Sequence, residues 1–348
     1  MKGLKRRQFF IKLSNWEYWP SYIVYIPLYI YFVWLSIKAR SLWFWSASNP
    51  GIETGGMLGE SKIEIFNNIP ENIRPLTILI KTGTSLYTIQ NILNDKGINF
   101  PIICKPDRGE RGFQVAKITN ENDLRIYIEK NKVDYIIQPY CEYKMELGVY
   151  FCRYPWEEKG FVFSVVKKEF LHVTGDGIHT LRELVLNNDR AVLQWDFIEA
   201  KFDHRFGEVL KEGEVLELVP IGNHARGTKF IDGRDMIDER LNNVFDSITK
   251  QIQGVYFARY DLRTTNEEDL KQGKNIFLIE LNGVGAEPAH IYDPSYRLVS
   301  AWKDLIDQWK MVYAISTYNK KQGSKYMTTK EIRIHLKMMK AYRILAES

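Results

Sequence analysis

Two segments near the end of the chain constrain its fold most, because each is a short apolar strand that carries charged or amide side chains. The first contains Arg259 and Asp261, and the second, after an acidic loop, contains Glu280 and Asn282. At the ends of two neighbouring strands, these four side chains would surround one polar spot. Carboxylate and amide oxygens suit Mg2+, which bridges phosphate oxygens, while a guanidinium neutralises further phosphate charge. The pattern predicts a nucleotide-dependent enzyme.

Length and charge limit the function classes that remain. The chain has 348 residues, enough for two or three subdomains around a sizeable core. Residues 1–45 hold seven Lys or Arg and one Glu, a charge of +6, against +5 for the whole chain, so the remainder carries about −1. That balance does not predict a nucleic-acid binder. The three cysteines lack zinc-like spacing and predict reduced core thiols in a cytosolic compartment: Cys104, Cys141 and Cys152.

The first 45 residues, called the head below, combine basic and aromatic side chains around an uncharged run. Residues 20–37 are eighteen uncharged residues, the low end for crossing a bilayer, and Pro20 and Pro27 weaken a spanning helix. Trp and Tyr prefer the lipid headgroup level, and flanking Lys and Arg pair with anionic lipid. The head therefore predicts membrane association on the cytoplasmic side of the inner membrane, peripheral or single-pass. The alternative is a buried aromatic hairpin packed on the body or on a second subunit.

From residue 75 onward, strand-like and helix-like segments alternate. Lys81 and Lys105 each stand at the end of a predicted strand, and the glycine-rich turn 109–112 follows the second. A strand-end lysine beside a flexible glycine turn suits a phosphate under a lid, although such a turn is also common without a ligand. Glu146, after a polar connection, can accept hydrogen bonds from ribose hydroxyls or be an exposed strand-end charge.

The order of these parts resembles the ATP-grasp superfamily of carboxylate-amine ligases, which includes D-alanine:D-alanine ligase, glutathione synthetases and cyanophycin synthetase. The resemblance covers about residues 75–295. Within it, residues 173–184 look like the GDGxxT segment of cyanophycin synthetase, and residues 223–228 look like a later asparagine and glycine turn of those ligases. The implied fold is α+β, with two α+β subdomains that clasp ATP.

The resemblance implies a nucleotide site between the two subdomains. Its lysines would contact phosphates, its glycine loop would close over them, and the residues around position 140 would hold adenine and ribose. The implied ATP-binding residues are Lys81, Lys105, Gly109, Arg111, Gly112, Gln138, Tyr140 and Glu146.

The same resemblance implies the metal-binding and catalytic residues. Asp261, Glu280 and Asn282 would hold one or two Mg2+ ions, which Mn2+ can replace. Arg259 would steady the acyl phosphate or the tetrahedral intermediate, and Lys105 would act with it. Phosphoryl transfer to a carboxylate depends mainly on positioning and charge neutralisation, so this equipment needs no protein nucleophile.

The substrate side is less constrained by the sequence. Arg226 is a candidate for an anionic substrate group, and Glu287 and His290 lie just after the metal cluster, where such ligases bind their acceptor. The pair Lys167 and Lys168 is either a second cation source near the phosphates or a solvated strand face. The turn after Asn282 lacks the serine of D-alanine-binding ligases, and only about 75 residues precede the resembling region, so D-alanine is not the expected substrate.

The predicted organisation has four parts: the head at 1–45, a Gly-rich connector at 46–74, an ATP-grasp domain at 75–295 and C-terminal helices at 296–348. The domain would divide into a nucleotide-lid subdomain at 75–145 and a catalytic, metal-binding subdomain at 146–295. The predicted function is ATP-dependent amide formation through an acyl phosphate, with small-molecule or lipid-linked substrates, at the membrane face. The alternatives are a kinase-like phosphotransferase and a non-catalytic, membrane-bound nucleotide-binding scaffold.

Overall fold

The structure is a computed structural model that describes residues 2–109, 112–219, 222 and 224–348. Its α-helices are α1 Lys2–Ser14, α2 Ser21–Val24, α3 Ile26–Ala39, α4 Lys62–Asn67, α5 Leu86–Asp95, α6 Glu121–Lys130, α7 Leu181–Asn187, α8 Asp189–Leu193, α9 Trp195–Phe202, α10 Glu239–Lys250, α11 Glu267–Lys271, α12 Leu298–Lys321 and α13 Thr329–Glu347. Its strands are β1 Ile78–Ile80, β2 Ile102–Pro106, β3 Ala116–Ile118, β4 Tyr135–Pro139, β5 Met145–Cys152, β6 Phe161–Glu169, β7 Leu171–Thr174, β8 Val215–Val219, β9 Lys229–Asp232, β10 Phe257–Thr264 and β11 Phe277–Asn282.

The first sheet is a small antiparallel sheet with the strand order β1-β4-β2-β3. Helices α5 and α6 supply the apolar side chains that join it in one core, including Ile89, Leu93 and Leu124. Ser85 and Asn120 cap these helices by accepting hydrogen bonds from backbone amides, as short polar residues do at helix starts. The elements of this unit, whose sheet is called the lid sheet, lie between residues 78 and 139.

The second sheet has five antiparallel strands in the order β11-β10-β5-β6-β9. Helix α10 begins after its cap Asp238 and buries Leu241, Phe245 and Ile248 against the sheet, in a core shared with Phe66 of α4. Helices thus pack on two separate antiparallel sheets, and the predicted α+β class is confirmed.

A third unit contains β7 and β8 with α7, α8 and α9 around a separate apolar core. The segment that resembles the GDGxxT motif forms the turn before α7. There Thr180 and Glu183 make a capping box, in which each side chain bonds to the backbone at the other position.

The head and the C-terminal helices pack on each other. Leu35 of α3 and the turn Phe44–Ala47 share a core with Val312 and Ile315 of α12. A capping box of Thr328 and Glu331 opens α13. Within the described residues, no helix is both long and apolar enough to cross a membrane. All three cysteines are buried and free.

Candidate active site

A cavity of about 850 Å³ lies between the two main sheets. The lid sheet contributes β2 and β4, the larger sheet contributes β5, β6, β10 and β11, and the connector closes one side. The predicted residues that line it are Lys105, Gly109, Gly112, Gln138, Tyr140, Glu146, Arg259, Asp261, Glu280, Asn282 and Glu287. The structure therefore brings together residues separated by up to 182 positions in the sequence.

Strand register explains how the four residues of the C-terminal cluster meet. In the antiparallel pair β10 and β11, Arg259 stands opposite Asn282, and Asp261 stands opposite Glu280. Alternate residues on a strand share a face, so these side chains belong to the cavity face of the sheet. The structure brings the four residues together as the sequence pattern predicted, and they lie within the strands rather than only at their ends.

Asp261 is the buried anion at the centre of the cluster. Its Oδ2 accepts hydrogen bonds from Arg259 Nη2 at 3.0 Å and from Asn282 Nδ2 at 3.0 Å. Lys168 Nζ lies 3.3 Å from Oδ1. Burial alone would raise the pKa of Asp261, but the charges of Arg259 and Lys168 hold it below its ordinary value. The carboxylate is therefore ionised and surrounded by cations.

Gly148 on β5 makes room for this arrangement. It stands opposite Asp261 in the sheet, and a Cβ at that position would lie 3.0 Å from Asp261 Oδ1 and 2.8 Å from Val166 Cγ1. A larger residue there would displace the carboxylate or its neighbour on β6, because such contacts are shorter than van der Waals distance.

Lys105 extends from β2 towards the opposite sheet. Its Nζ donates a hydrogen bond to the backbone oxygen of Ile279 on β11 at 2.8 Å. Burial is the main reason that the pKa of Lys105 is lowered to about 8; Glu280 and Asp261 oppose this effect, and Lys62 adds to it. The Lys105 side chain is 5% exposed and connects the lid sheet to β11, the strand that carries the candidate metal ligands Glu280 and Asn282.

Lys62, at the start of α4, is a cavity residue that sequence reasoning missed. Its Nζ donates to the backbone oxygen of Gly109 at 2.7 Å and lies 3.5 Å from Glu280 Oε1. The contact couples the glycine turn to the larger sheet. A lone lysine within the glycine-rich connector carries no spacing signal, so no sequence pattern pointed to it.

Glu146 occupies the other side of the cavity. It accepts hydrogen bonds from Lys168 Nζ at 3.2 Å and from Arg263 Nε at 3.0 Å. Burial alone would lower the pKa of Lys168, but Asp261 and Glu146 raise it above its ordinary value. Of the predicted lysine pair, Lys168 thus faces the cavity, whereas Lys167 pairs with Asp235 at 2.9 Å on the other face.

The residues predicted to surround adenine lie beside Glu146. The ring of Tyr140 stacks under Lys117 Nζ, 3.7 Å from its centroid, and Arg263 lies on the same ring at 5.7 Å. Gln138 is buried and donates from Nε2 to Thr77 Oγ1 at 2.8 Å. Arg263 was not singled out from the sequence, although its i+2 spacing from Asp261 on one strand face could have indicated it.

Four of the predicted site residues, Lys81, Arg111, Arg226 and His290, are not among the described residues that line the cavity. Lys81 is on the surface, paired with Asp134 at 2.7 Å, and does not line the cavity. Its strand β1 is at the edge of the lid sheet, which corrects the expected phosphate contact. Arg226 is exposed and also outside the cavity lining, contrary to its expected substrate role. Arg111 lies outside the described residues, as does Asn223 of the asparagine and glycine turn.

His290 is the fourth displaced residue. It is 1% exposed, its Nδ1 shares a hydrogen bond with Ser164 Oγ at 2.7 Å, and its Nε2 lies 2.9 Å from Asp304 Oδ2. Both ring nitrogens are thus occupied within the protein, and the side chain is not part of the cavity wall. The expected substrate contact is corrected to a buried link between β6 and α12.

The head contributes Glu17 to the cavity wall, which the sequence did not indicate. Glu17 lies 2.7 Å from His224 Nε2 and binds Arg190 through both carboxylate oxygens, at 2.8 and 2.9 Å. Burial alone would raise the pKa of Glu17, but His224 and Arg190 lower it. Both Glu17 and His224 line the cavity.

Glu287 lies on the same wall and is held by two phenols. Tyr25 of the head and Tyr292 each donate a hydrogen bond to its carboxylate, Tyr292 at 2.5 Å. Its backbone oxygen accepts from Arg259 Nη1 at 3.2 Å. Glu287 thus connects the head to the charged cluster, consistent with its predicted place beside the metal residues.

The donor set fits a divalent cation only in part. Within the described ranges, no group of three His, Cys, Asp or Glu side chains stands close enough to hold a metal alone. However, the buried Asp261 Oδ1 forms an ion pair with Lys168 but accepts no geometrically aligned hydrogen bond within the described part of the chain, and Glu280 and Asn282 add further oxygen donors beside it. Mg2+ commonly binds one or two carboxylates and completes its shell with substrate phosphates and water. The residues therefore fit a cation that arrives with a polyphosphate.

No protein-family profile matches the chain, and no curated protein matches it. It is similar to the solved structure of a bifunctional glutathione synthetase from Pasteurella multocida, with 16% identity, a TM-score of 0.42, and coverage of 71% of this chain and 36% of that one. A D-alanine–D-alanine ligase from Bacillus anthracis matches with 12% identity, a TM-score of 0.40, and coverage of 76% and 69%. The VanG D-Ala:D-Ser ligase from Enterococcus faecalis matches with 14% identity, a TM-score of 0.42, and coverage of 73% and 61%. The chain thus spans about one third to two thirds of the length of these structures.

Proposed function

We propose that the protein is an ATP-dependent carboxylate-amine ligase. One observation carries the proposal: a single cavity between two sheets collects Lys62, Lys105, Lys168, Arg259 and Arg263 around three carboxylates, Glu146, Asp261 and Glu280. Lys117 and the carboxylates of Glu17, Glu60, Glu217 and Glu287 also line the cavity, so its charges are mixed rather than net positive. Lysine and arginine side chains can bind phosphate oxygens, and a divalent cation can bind carboxylates, so a polyphosphate that arrives with a divalent cation fits this mixture.

Residues in different parts of the cavity would have different roles in phosphoryl transfer. Lys105, extending from the lid sheet, would bind phosphate oxygens, and the Gly109–Gly112 turn beside it would cover them. Tyr140 and Gln138 would hold the base, and Glu146 would accept hydrogen bonds from ribose. When bound at Asp261, Glu280 and Asn282, Mg2+ would neutralise phosphate charge and orient the transferred group.

Arg259 would act on the acceptor. Its half-buried guanidinium bonds to Asp261 and to the backbone oxygen of Glu287, and it would stabilise negative charge on a carboxylate that attacks the terminal phosphate. The product of this step is an acyl phosphate and ADP. An amine then attacks the acyl carbon, the phosphate leaves, and an amide forms.

We also propose that this reaction takes place at the cytoplasmic face of a membrane and uses small-molecule or lipid-linked substrates. The support is the basic, aromatic head, which contributes Glu17 and Tyr25 to the cavity wall and contact network.

The test is ATP turnover with a cell-extract metabolite fraction, in the presence of Mg2+ and hydroxylamine. Hydroxylamine traps an acyl phosphate as a hydroxamate, which distinguishes a ligase from a kinase whose phosphorylated product is stable. We expect the wild type to form hydroxamate and ADP. In Glu280→Gln the rate of ADP formation should fall at least about 100-fold, because the substitution removes a carboxylate that would bind the cation beside the phosphates.

The matched control is Glu268→Gln, since Glu268 pairs with Arg240 at the surface, away from the cavity. It should retain wild-type turnover. ADP formation with a stable phosphorylated product and no hydroxamate would indicate the kinase alternative. ATP binding without turnover in any extract fraction would indicate the non-catalytic scaffold.

A further inference from the structure

We propose that the exposed apolar side of α3, with the basic surface around it, docks on an anionic lipid bilayer. The docking face is defined by six exposed residues of α3: Ile26, Tyr29, Ile30, Val33, Trp34 and Ile37. Contact with lipid through this face would rest the protein on the membrane surface. It would also place the head wall of the cavity close to the bilayer.

The burial pattern of α3 is one-sided. Leu28 and Leu35 are buried, and Phe32 packs edge-on against Trp309 of α12 at 5.0 Å between ring centroids. These residues recur at helical spacing on one side, and the docking face occupies the other. Because α12 covers one side of the helix, lipid can contact only the docking face. The geometry is that of a helix lying along an interface.

The docking face is much more apolar than a solvated helix surface. Ile30 and Ile37 are 69% and 71% exposed, and no charged residue interrupts the face. Contiguous exposed apolar surface of this kind marks an interaction site. Trp34 and Tyr29 add the aromatic rings that favour the headgroup level of a bilayer.

The charges of the head select the partner, and one of them, Lys38, lies beside the face with its Nζ 4.4 Å from the centroid of the Trp34 ring. Lys5, Arg6, Lys12, Lys38 and Arg40 are exposed head residues. The single acidic residue of the head, Glu17, has a side chain that is only 6% exposed and is bound to Arg190 and His224. The accessible charge of the head is therefore positive, which complements anionic lipid headgroups.

The same charges argue against a second copy of the chain on this face. In a two-fold dimer the face meets its own copy, so Lys38, whose Nζ lies 4.4 Å from the Trp34 ring centroid, would be brought to the interface from both copies. Like charges across an interface weaken association. A bilayer that contains anionic lipid offers the opposite charge together with an apolar interior.

Docking would couple the membrane to the cavity. The segment that precedes α3 carries Glu17 and Tyr25, and these reach His224 and Glu287 in the cavity wall. This last consequence rests on the proposed function, whereas lipid binding does not. An acceptor dissolved in or attached to the bilayer would enter at the wall that the head supplies.

The experiment is vesicle flotation of the full chain with phosphatidylcholine vesicles, with and without phosphatidylglycerol. We expect the wild type to float with the phosphatidylglycerol vesicles and to dissociate as salt is added, because exposed charges are screened. In Ile30→Glu/Ile37→Glu, the partition coefficient should fall by about tenfold or more, because two apolar contacts become charges.

The matched control is Ile178→Glu, since Ile178 is 77% exposed in the loop before α7, outside the head. It should float like the wild type, and all variants should retain the wild-type melting temperature because the changed side chains are at the surface. Lys5→Glu/Lys12→Glu should lose the salt-sensitive part of the binding.

Two results would overturn the proposal. One is a wild type that does not float, or a double variant that floats as well as the wild type. The other is a wild type that light scattering shows to be a dimer, with Ile30→Glu/Ile37→Glu a monomer and no flotation, which would make the face a protein interface. Nucleotide turnover plays no part in either result, so failure here leaves the proposed ligase function separately testable.

Discussion

Lys105 makes the affinity for ATP depend on pH in a direction that the structure fixes. Burial lowers the pKa of this lysine to about 8, and phosphate binding requires its charged form. Raising the pH through 8 therefore removes a cation from the phosphate site while most other lysines remain charged. Lys168 in the same cavity has a raised pKa and stays charged over this range.

The magnitude follows from the titration. With a pKa of about 8, Lys105 is about 90% charged at about pH 7 and about 10% charged at about pH 9. If only the charged form binds phosphate, the apparent Kd for ATP rises roughly tenfold across this interval. Phosphate monoesters lose their second proton near pH 6, so the nucleotide itself changes little there.

The assay is calorimetric titration with Mg-ATP without acceptor substrates, in a series of buffers over this interval. Lys105→Arg should bind with a nearly flat pH dependence, because a guanidinium stays charged. Lys105→Met should bind weakly at every pH. A wild-type Kd that does not change, or a rise of equal size in Lys105→Arg, would refute the assignment of the charge to Lys105.

The fold should respond to pH in the opposite direction. The pKa of Lys105 lies below its ordinary value of 10.5, so between pH 8 and 10.5 the unfolded chain binds more protons than the folded one. The contribution of this residue to stability therefore increases as the pH rises through that interval. If ATP binding weakens while the free energy of unfolding increases as the pH rises, the cause is titration of a lysine rather than general alkaline denaturation.

Three further changes test the packing around the cavity. Glu146→Gln should destabilise the fold by about 3 kcal/mol in urea unfolding, because Lys168 and Arg263 lose a shared buried anion, and an unchanged midpoint would contradict this. Asn49→Ala should cost about 3 kcal/mol in the same assay, since the Asn49 amide makes four hydrogen bonds to backbone groups, and a cost under about 1 kcal/mol would show that water replaces them. Thr328→Ala should cost about 1 kcal/mol by loss of a helix cap and leave the Kd for ATP unchanged, so weaker binding would point to an unforeseen coupling.

The sequence indicated cavity residues that alternate along a single strand. It did not indicate residues whose position depends on the order of the strands in a sheet. Asp261 and Glu280 were found because each lies within an unmistakable apolar strand. Lys81 and Lys105 gave the same local signal, yet β1 lies at the edge of its sheet and β2 within it. Sheet order depends on long-range pairing, which a single sequence does not show, so only one of the two lysines was placed correctly.

The head illustrates a second limit of sequence reasoning. Its aromatic composition indicated either a membrane contact or a buried hairpin, and the structure shows a helix with one buried and one exposed side. Composition does not tell which side of a helix meets the body when both sides are apolar. The contribution of Glu17 to the cavity wall also depends on His224, 207 residues away, and no local pattern reports such a pair.

This two-sided packing decides how the role of the head can be tested. Removing residues 1–45 would delete Leu35, Phe44 and Trp45, which are almost fully buried against α12. Each loss of a large core side chain costs about 2–5 kcal/mol, and a domain has only about 5–15 kcal/mol of total stability. Truncation would therefore abolish membrane binding and activity by unfolding, whatever the docking face does. Substitutions confined to the exposed side of α3 leave this core intact, so only they can separate lipid contact from folding.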